Sequence, residues 1–561
     1  MLMILSVYNV IMYVKIVRLI SFLLLIFLLL FGAYIFAAGG GISNIDNIVT
    51  SYQPTDTDTN YLTALSYYRG EGLYKNASSI YPPGRMLALS GLFNLFGASI
   101  PTGAFYFNFF PALFYSPLLF FLSFLIFSNN NNNNVVSLLF STITVWIDLT
   151  LIRTAQEIHV ITVLFFVLFL TPFKWRRIKN LLLGVLFGLV FLFRIEAGIF
   201  LILALIIPNL RSLNKINVQK YAILGLFSVW LPILSILIRD SSIVNFFNDV
   251  VILGLIAQPK TMAQAIQPDH IPLFTAVLIF TISSGLALFL KIKKLPIQSF
   301  AIFSVLSFAT ALSRSDEGHL WYGASLISIY ITHILISSKQ LVKFFNIDSS
   351  IKITIFSVFF FFLGKSLIFL KSPSIYVIAS LLLFFLIPYF SKRIDWKVIQ
   401  IAGLIATLIM FHSISYIKLR YSPLHPYLGI PKYSSSFFKD EEDEIAGLIF
   451  PKKDVETLKK ISVLVPQSEK YIYIFPNHFL YYEFFNQSNP TRYFYNNNER
   501  TDAIEKEIIT NFKKTNTKYY LIFTKQAELK GGPVWKWIQL NTHSEQEFTL
   551  NDESVQLRKI I

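Results

Sequence analysis

Two aspartates two residues apart, Asp56 and Asp58, stand just ahead of a helical run from Tyr61 to Tyr68. A carboxylate at a helix N-terminus is held in its ionised form by the positive end of the helix dipole. Either residue therefore suits a general base that takes a proton from a hydroxyl, and either would equally serve as a helix cap. Three further polar clusters are bounded by apolar runs. Glu157 lies between Arg153 and His159 and, in its plainer reading, pairs with Arg153 four residues earlier. Arg194 and Glu196 meet at Phe193-Arg194-Ile195-Glu196, where lipid would not solvate them. An arginine there can grip a phosphate with two parallel hydrogen bonds, or simply pair with Glu196. Arg314, Asp316 and His319 fall within six residues, a set that could order an anionic group or form a solvated hairpin.

The Asp56-x-Asp58 spacing resembles a pair that holds a divalent cation against a nucleotide diphosphate. No nucleotide-binding fold accompanies it, and no other cluster has metal-ligand spacing. There is no Cys, so disulfide and thiolate chemistry are excluded. Glycine-rich phosphate loops, nucleophile elbows and a Trp-Trp-Asp motif are absent. Asn76-Ala-Ser78 and Asn486-Gln-Ser488 are glycosylation sequons, relevant only where such sites are modified.

The elements that must position these residues are set by composition. Of 561 residues 54% are hydrophobic and only 14% charged, 56 are Phe, and the mean hydropathy is +0.57. Such a chain lacks the charged residues for a water-facing surface. Apolar runs long enough to cross a bilayer fall at 15–37, 102–127, 135–152, 157–173, 180–193, 196–209, 221–238, 271–290, 296–312, 320–337, 351–370, 374–390 and 397–416. The net charge of +16 reflects Lys and Arg in short cytoplasmic loops rather than nucleic-acid binding. Lys15 and Arg18 place the N-terminus inside, and counting thirteen spans puts every basic loop on that side. The pair 180–193 and 196–209 could instead be one broken helix, but the later basic loops would then invert.

The outer face carries the loop 38–101, the segment 239–270 and a tail from about 420. Within the tail, 461–465, 471–475 and 519–523 read as strands and 501–514 as a helix. The expected division is a membrane domain over 1–418 and an extracytoplasmic α/β domain over 419–561. The Asn run 129–134 is a neutral connector.

The first outer loop has a recognisable order: the acidic pair, Tyr61 and its helix, Gly70-Glu71-Gly72-Leu73-Tyr74, Tyr81-Pro82-Pro83-Gly84-Arg85, and an apolar helix ending at Phe96-Gly97. This resembles the corresponding loop of the GT-C glycosyltransferases, in the branch of protein O-mannosyltransferases and lipid A aminoarabinose transferases. The resemblance implies an α-helical polytopic membrane protein of about thirteen transmembrane helices. It also implies a polyprenyl-phosphate-linked sugar donor, a glycan, lipid or protein acceptor, and catalysis by Asp58 or Asp56 at the outer face of the plasma membrane. Glu157, Arg194, Glu196, Arg314, Asp316, His319, Tyr61, Tyr81 and Arg85 would bind substrate. No cofactor is required for a monophosphate leaving group, with a divalent metal left open. Competing readings are an O-antigen ligase or polymerase-like enzyme, which would carry its large outer loop late in the chain, and a lipid-linked sugar flippase, which would need charges deep in several spans.

Overall fold

The structure is a computed structural model that describes residues 56–99, 102–103, 106–107, 110–128, 134–151, 156–208, 220–257, 271–313, 320, 323–336, 377–382, 384, 442–445, 448–476, 481–493, 502–550 and 553–561. The expected spans at 15–37, 351–370 and 397–416, and the residues Arg314, Asp316 and His319, lie outside the described residues.

In chain order the helices are α1 (Asp56–Tyr68), α2 (Gly84–Phe96), α3 (Phe110–Ser128), α4 (Asn134–Leu151), α5 (Glu157–Leu170), α6 (Arg176–Phe193), α7 (Ile195–Ile206) and α8 (Lys220–Arg239). They continue with α9 (Ile243–Phe246), which runs into a π-helix over Phe247–Ala257, then α10 (Ile271–Lys291), α11 (Leu295–Ser307), α12 (Ala309–Ser313) and α13 (Ile327–Ile336). The tail contains β1 (Glu442–Ile445), β2 (Leu448–Pro451), α14 (Lys452–Leu464), β3 (Ile472–Phe475), α15 (Tyr481–Phe485), α16 (Asp502–Thr515), β4 (Tyr519–Phe523), α17 (Thr524–Lys530), α18 (Gly532–Asn541), β5 (Thr542–Leu550) and β6 (Glu553–Ile560). The protein is thus mostly helical, with a small sheet at its C-terminal end. Among the described residues, three stretches, Lys220–Arg239, Leu273–Lys291 and Leu295–Leu312, are long and apolar enough to cross a membrane.

Contacts gather the described residues into two compact units: 110–229 with 271–384, and 56–107 with 230–257 and 442–561. The first unit is a helical assembly around a large aromatic and aliphatic core, with Phe166 edge-on to Phe300 at 5.5 Å. The chain breaks between α6 and α7 at Arg194, whose φ of −154° and ψ of 113° are extended, so these are two helices. α6 and α8 cross at glycines: a Cβ on Gly184 would lie 2.0 Å from the Ala222 carbonyl oxygen, and one on Gly225 2.2 Å from that of Leu181. Small residues let helix backbones touch where lipid supplies no hydrophobic drive. Elsewhere on α8, Leu224, Phe227, Leu231, Leu234 and Ile238 form an apolar stripe left 40–64% exposed, a face suited to lipid rather than water.

In the second unit the sheet order is β3-β4-β6-β5, with β3 and β4 parallel and the other pairs antiparallel. The parallel pair needs a crossover, and α16 lies within it. Side chains alternate across a strand, and the core follows that period. Ile472, Ile474, Tyr519, Leu521 and Phe523 join one cluster with α14, α1 and α2, while Tyr473, Phe475, Tyr520 and Ile522 join another with α16, α18, Ile80 and Leu253. The first loop and the π-helix segment are therefore built into the same unit as the tail. One expectation is corrected: 461–464 completes α14 instead of forming a strand. Val455, Leu458 and Ile461, three residues apart, are buried on one helical face, so the helical period outweighs the β-branched composition.

Candidate functional site

The acidic pair lies inside α1 and not ahead of it, because the helix begins at Asp56 and so places Asp56 and Asp58 in its first turn. Tyr61, one turn on, is 6% exposed and packs edge-on against Phe93 of α2 at 5.4 Å, so α1 and α2 are joined through it.

Beyond α1 the chain turns through Gly70 (φ +81°), Gly72 (φ +86°) and Tyr74 (φ +57°). The glycines meet this left-handed geometry at no steric cost, whereas Tyr74 is strained. Its surroundings hold it there. The Tyr74 hydroxyl donates to the Tyr81 carbonyl at 2.6 Å, its own carbonyl accepts from Asn245 Nδ2 at 3.0 Å, and its ring meets Phe246 at 5.4 Å. Just before it, the Leu73 N–H donates to Asp240 Oδ2 at 2.9 Å. After Tyr81, the Arg85 guanidinium lies 5.9 Å from the ring centroids of both Tyr81 and Phe107. Tyr81 and Arg85 are half-buried, and Pro82-Pro83-Gly84 between them is buried at the start of α2.

Sequence reasoning missed the groups that fix this loop. Asp249, on the π-helix, has a side chain 0% exposed and receives Arg492 Nη1 at 2.6 Å. The Arg492 Nε reaches Glu507 at 3.3 Å, and its Nη2 donates to the Tyr493 hydroxyl at 2.8 Å, which in turn donates to Glu507 at 2.7 Å. The Ser78 N–H donates to the Arg492 carbonyl at 2.6 Å. Burial pushes the Asp249 carboxyl up, opposed by Arg492 and a hydrogen bond from Ser78. Burial would lower the Arg492 guanidinium, but Asp249, Tyr493 and Glu507 more than offset that and raise it. One signal was available: Asp249 is a lone carboxylate at the edge of the apolar run 250–256. Arg492 carries no local signal at all.

In the first unit, His159 and Glu196 face one partly open cleft, together with Thr162, Phe200, Phe303 and Ser307. His159 also closes the start of α5, where its Nδ1 accepts the Gln156 N–H at 3.1 Å. Glu157, the first residue of α5, is buried. Arg194 Nη1 pairs with Glu196 Oε1 at 2.8 Å, with side chains 21% and 29% exposed. The cleft thus combines a carboxylate, an imidazole, hydroxyls and two aromatic rings, a lining suited to a polar group with an apolar neighbour. Away from the cleft, Asp148 of α4 is buried and accepts from Ser328 at 3.3 Å, while Thr144 donates to Thr332 at 2.8 Å. Among the described residues, no group of three or more His, Asp or Glu could hold a metal ion.

The described parts define a helical protein with membrane-length apolar helices and a C-terminal α/β portion. No family model matches the chain, and no curated protein matches it. Among solved structures it is similar to ArnT from Cupriavidus metallidurans bound to undecaprenyl phosphate, with 10% identity and a TM-score of 0.49 over 90% of this chain and 93% of that one. The apo state of the same protein is similar at 11% identity and a TM-score of 0.43, over 90% and 93% of the two chains.

Proposed function

We propose that the protein is an integral-membrane glycosyltransferase that moves a sugar from a polyprenyl-phosphate-linked donor to an acceptor at the outer face of the plasma membrane. The observation that carries this is the first loop. Its acidic pair occupies the first turn of α1, and the Gly-x-x-Tyr and Tyr-Pro-Pro-Gly segments that follow are pinned in place around Tyr74. Asp58, or Asp56, takes the acceptor's hydroxyl proton as the hydroxyl oxygen attacks the anomeric carbon, and the lipid phosphate departs with the electron pair of the broken bond. Arg194 and Arg314 offset the charge that develops on that phosphate, with Asp316 and His319 ordering Arg314. Tyr81, Arg85, Glu157 and Glu196 contact the donor or acceptor, and Tyr61 joins α1 to α2. Thirteen spans with a cytoplasmic N-terminus place all of these groups at or near the outer side, and the 239–270 and tail segments with them.

Asp58→Asn and Asp56→Asn, each assayed with a polyprenyl phosphate carrying one radiolabelled sugar, test the assignment. Loss of a general base costs about 10²- to 10⁴-fold in rate. Full activity in both variants removes these residues from catalysis, and movement of the labelled lipid across the bilayer without sugar transfer indicates a flippase.

A further inference from the structure

We infer that Arg492 of the tail and Asp249 of the π-helix are positioning residues that hold the strap 73–81 between the two helices of the reaction loop. This rests on the reading of that loop as the one that carries the base. The strap leaves α1 through Gly70 and Gly72 and enters α2 through Pro82 and Pro83, so its placement sets the distance between the acidic pair on one side and Tyr81 and Arg85 on the other. It is fastened at its start by Asp240 and Asn245, which bind Leu73 and Tyr74. Its far half is fastened by Arg492, whose carbonyl accepts the Ser78 N–H at 2.6 Å.

Arg492 can hold the strap only if its own backbone is fixed. Its guanidinium is anchored on Asp249 at 2.6 Å and on Glu507 at 3.3 Å. The neighbouring Asn489 side chain accepts the Thr491 N–H at 2.9 Å and donates to the Tyr493 carbonyl at 3.0 Å, which closes the turn around it. The π-helix approaches the strap as closely as backbone allows: a Cβ on Gly254 would stand 2.5 Å from the Ile80 carbonyl oxygen. π-helical turns occur frequently at functional sites, and this one carries the buried Asp249. Arg492 and Asp249 touch no substrate in this scheme. They act through the strap.

The protein contains no Cys, so Ser79→Cys supplies a single thiol at a strap position 1% exposed. In that background Arg492→Lys and Asp249→Asn are expected to speed labelling by a hydrophilic maleimide about tenfold or more. The double variant should be no faster than the faster single one, because the two residues form one unit. A separate Ala527→Cys thiol, at a tail position 0% exposed, should stay protected in both variants. With the radiolabelled polyprenyl-phosphate sugar as probe, KM for the donor should rise about fivefold, whereas a smaller folded fraction would lower the rate and leave KM unchanged. Unchanged labelling at position 79, multiplicative effects in the double variant, or loss of protection at position 527 as well would overturn the proposal. A wild-type protein that leaves the donor uncleaved defeats the glycosyltransferase reading instead, and the labelling arms still decide the role of Arg492.

Discussion

Arg492 reaches Asp249 across 243 positions of sequence and holds its Oδ2 at 2.6 Å, with the carboxylate 0% and the guanidinium 13% exposed. An ion pair so far from water is a poor source of net stability, because desolvating both charges offsets most of their attraction. Its breakage is costly for the same reason, since the surviving charge stays buried.

Removing one partner is therefore expected to be far worse than removing both. Arg492→Ala should destabilise the fold by about 3–5 kcal/mol, the usual cost of stranding a buried charge. Pairing Arg492→Met with Asp249→Leu should recover much of that loss. Thermal transitions of the detergent-solubilised protein measure the difference. A double variant as unstable as the single one would mean that the Arg492 hydrogen bonds to Glu507 and Tyr493 carry the effect.

The α6–α8 crossing gives a second expectation. A Cβ on Gly184 meets backbone at 2.0 Å, while one on Gly188 meets the Val229 side chain at 3.1 Å. Backbone cannot yield as a side chain can, so Gly184→Ala must push the helices apart and Gly188→Ala need shift only one rotamer. The first should lower the thermal transition well beyond the second. Equal effects at the two positions would show that the crossing tolerates separation.

Much of this architecture was legible in the chain. Long apolar runs mark the helices because burial in lipid or protein demands them whatever the tertiary fold. The break at Arg194 was marked by its charges. The strands at 472–475 and 519–523 were marked by runs of β-branched and aromatic residues. The stretch 461–465 is ambiguous because its four apolar residues, interrupted only by Ser462, fit either period, and only the burial of Val455 and Leu458 decides it. The helix start at Asp56 lay five residues earlier than the first periodic residue, Tyr61, because polar first turns contribute little to an apolar pattern. Arg492 was invisible for a different reason. Its role exists only once the tail and the π-helix are folded together, and nothing within reach of it in sequence encodes Asp249.

Arg194 and Glu196 separate structural from functional roles. Their pair is 21% and 29% exposed, and ion pairs with access to water contribute about 0.2–1 kcal/mol. Glu196 also lines the cleft with His159. Glu196→Gln should thus leave the thermal transition within about 1 kcal/mol of the wild type and lower sugar transfer at least tenfold. Unchanged transfer at unchanged stability would remove the cleft from the reaction.

Asp240 makes the start of the strap sensitive to acid. Burial alone would raise its carboxyl, but the Arg239 side chain, the Leu73 N–H and Lys75 together draw it below the ordinary carboxylate range. A carboxylate with a depressed folded pKa contributes stability that is present above the unfolded value, about 3.9 for Asp, and is lost as pH falls through the folded value. The Leu73 amide should therefore keep its protection from hydrogen exchange between about pH 7 and 5 and lose it below about pH 4, after correction for intrinsic rates. Because Arg239 is 68% exposed, added salt should weaken its part of the effect. Asp240→Asn keeps an acceptor for Leu73 but has no proton to gain. It should hold or lose the amide equally at every pH, and an acid-dependent loss in that variant would assign the titration to another group.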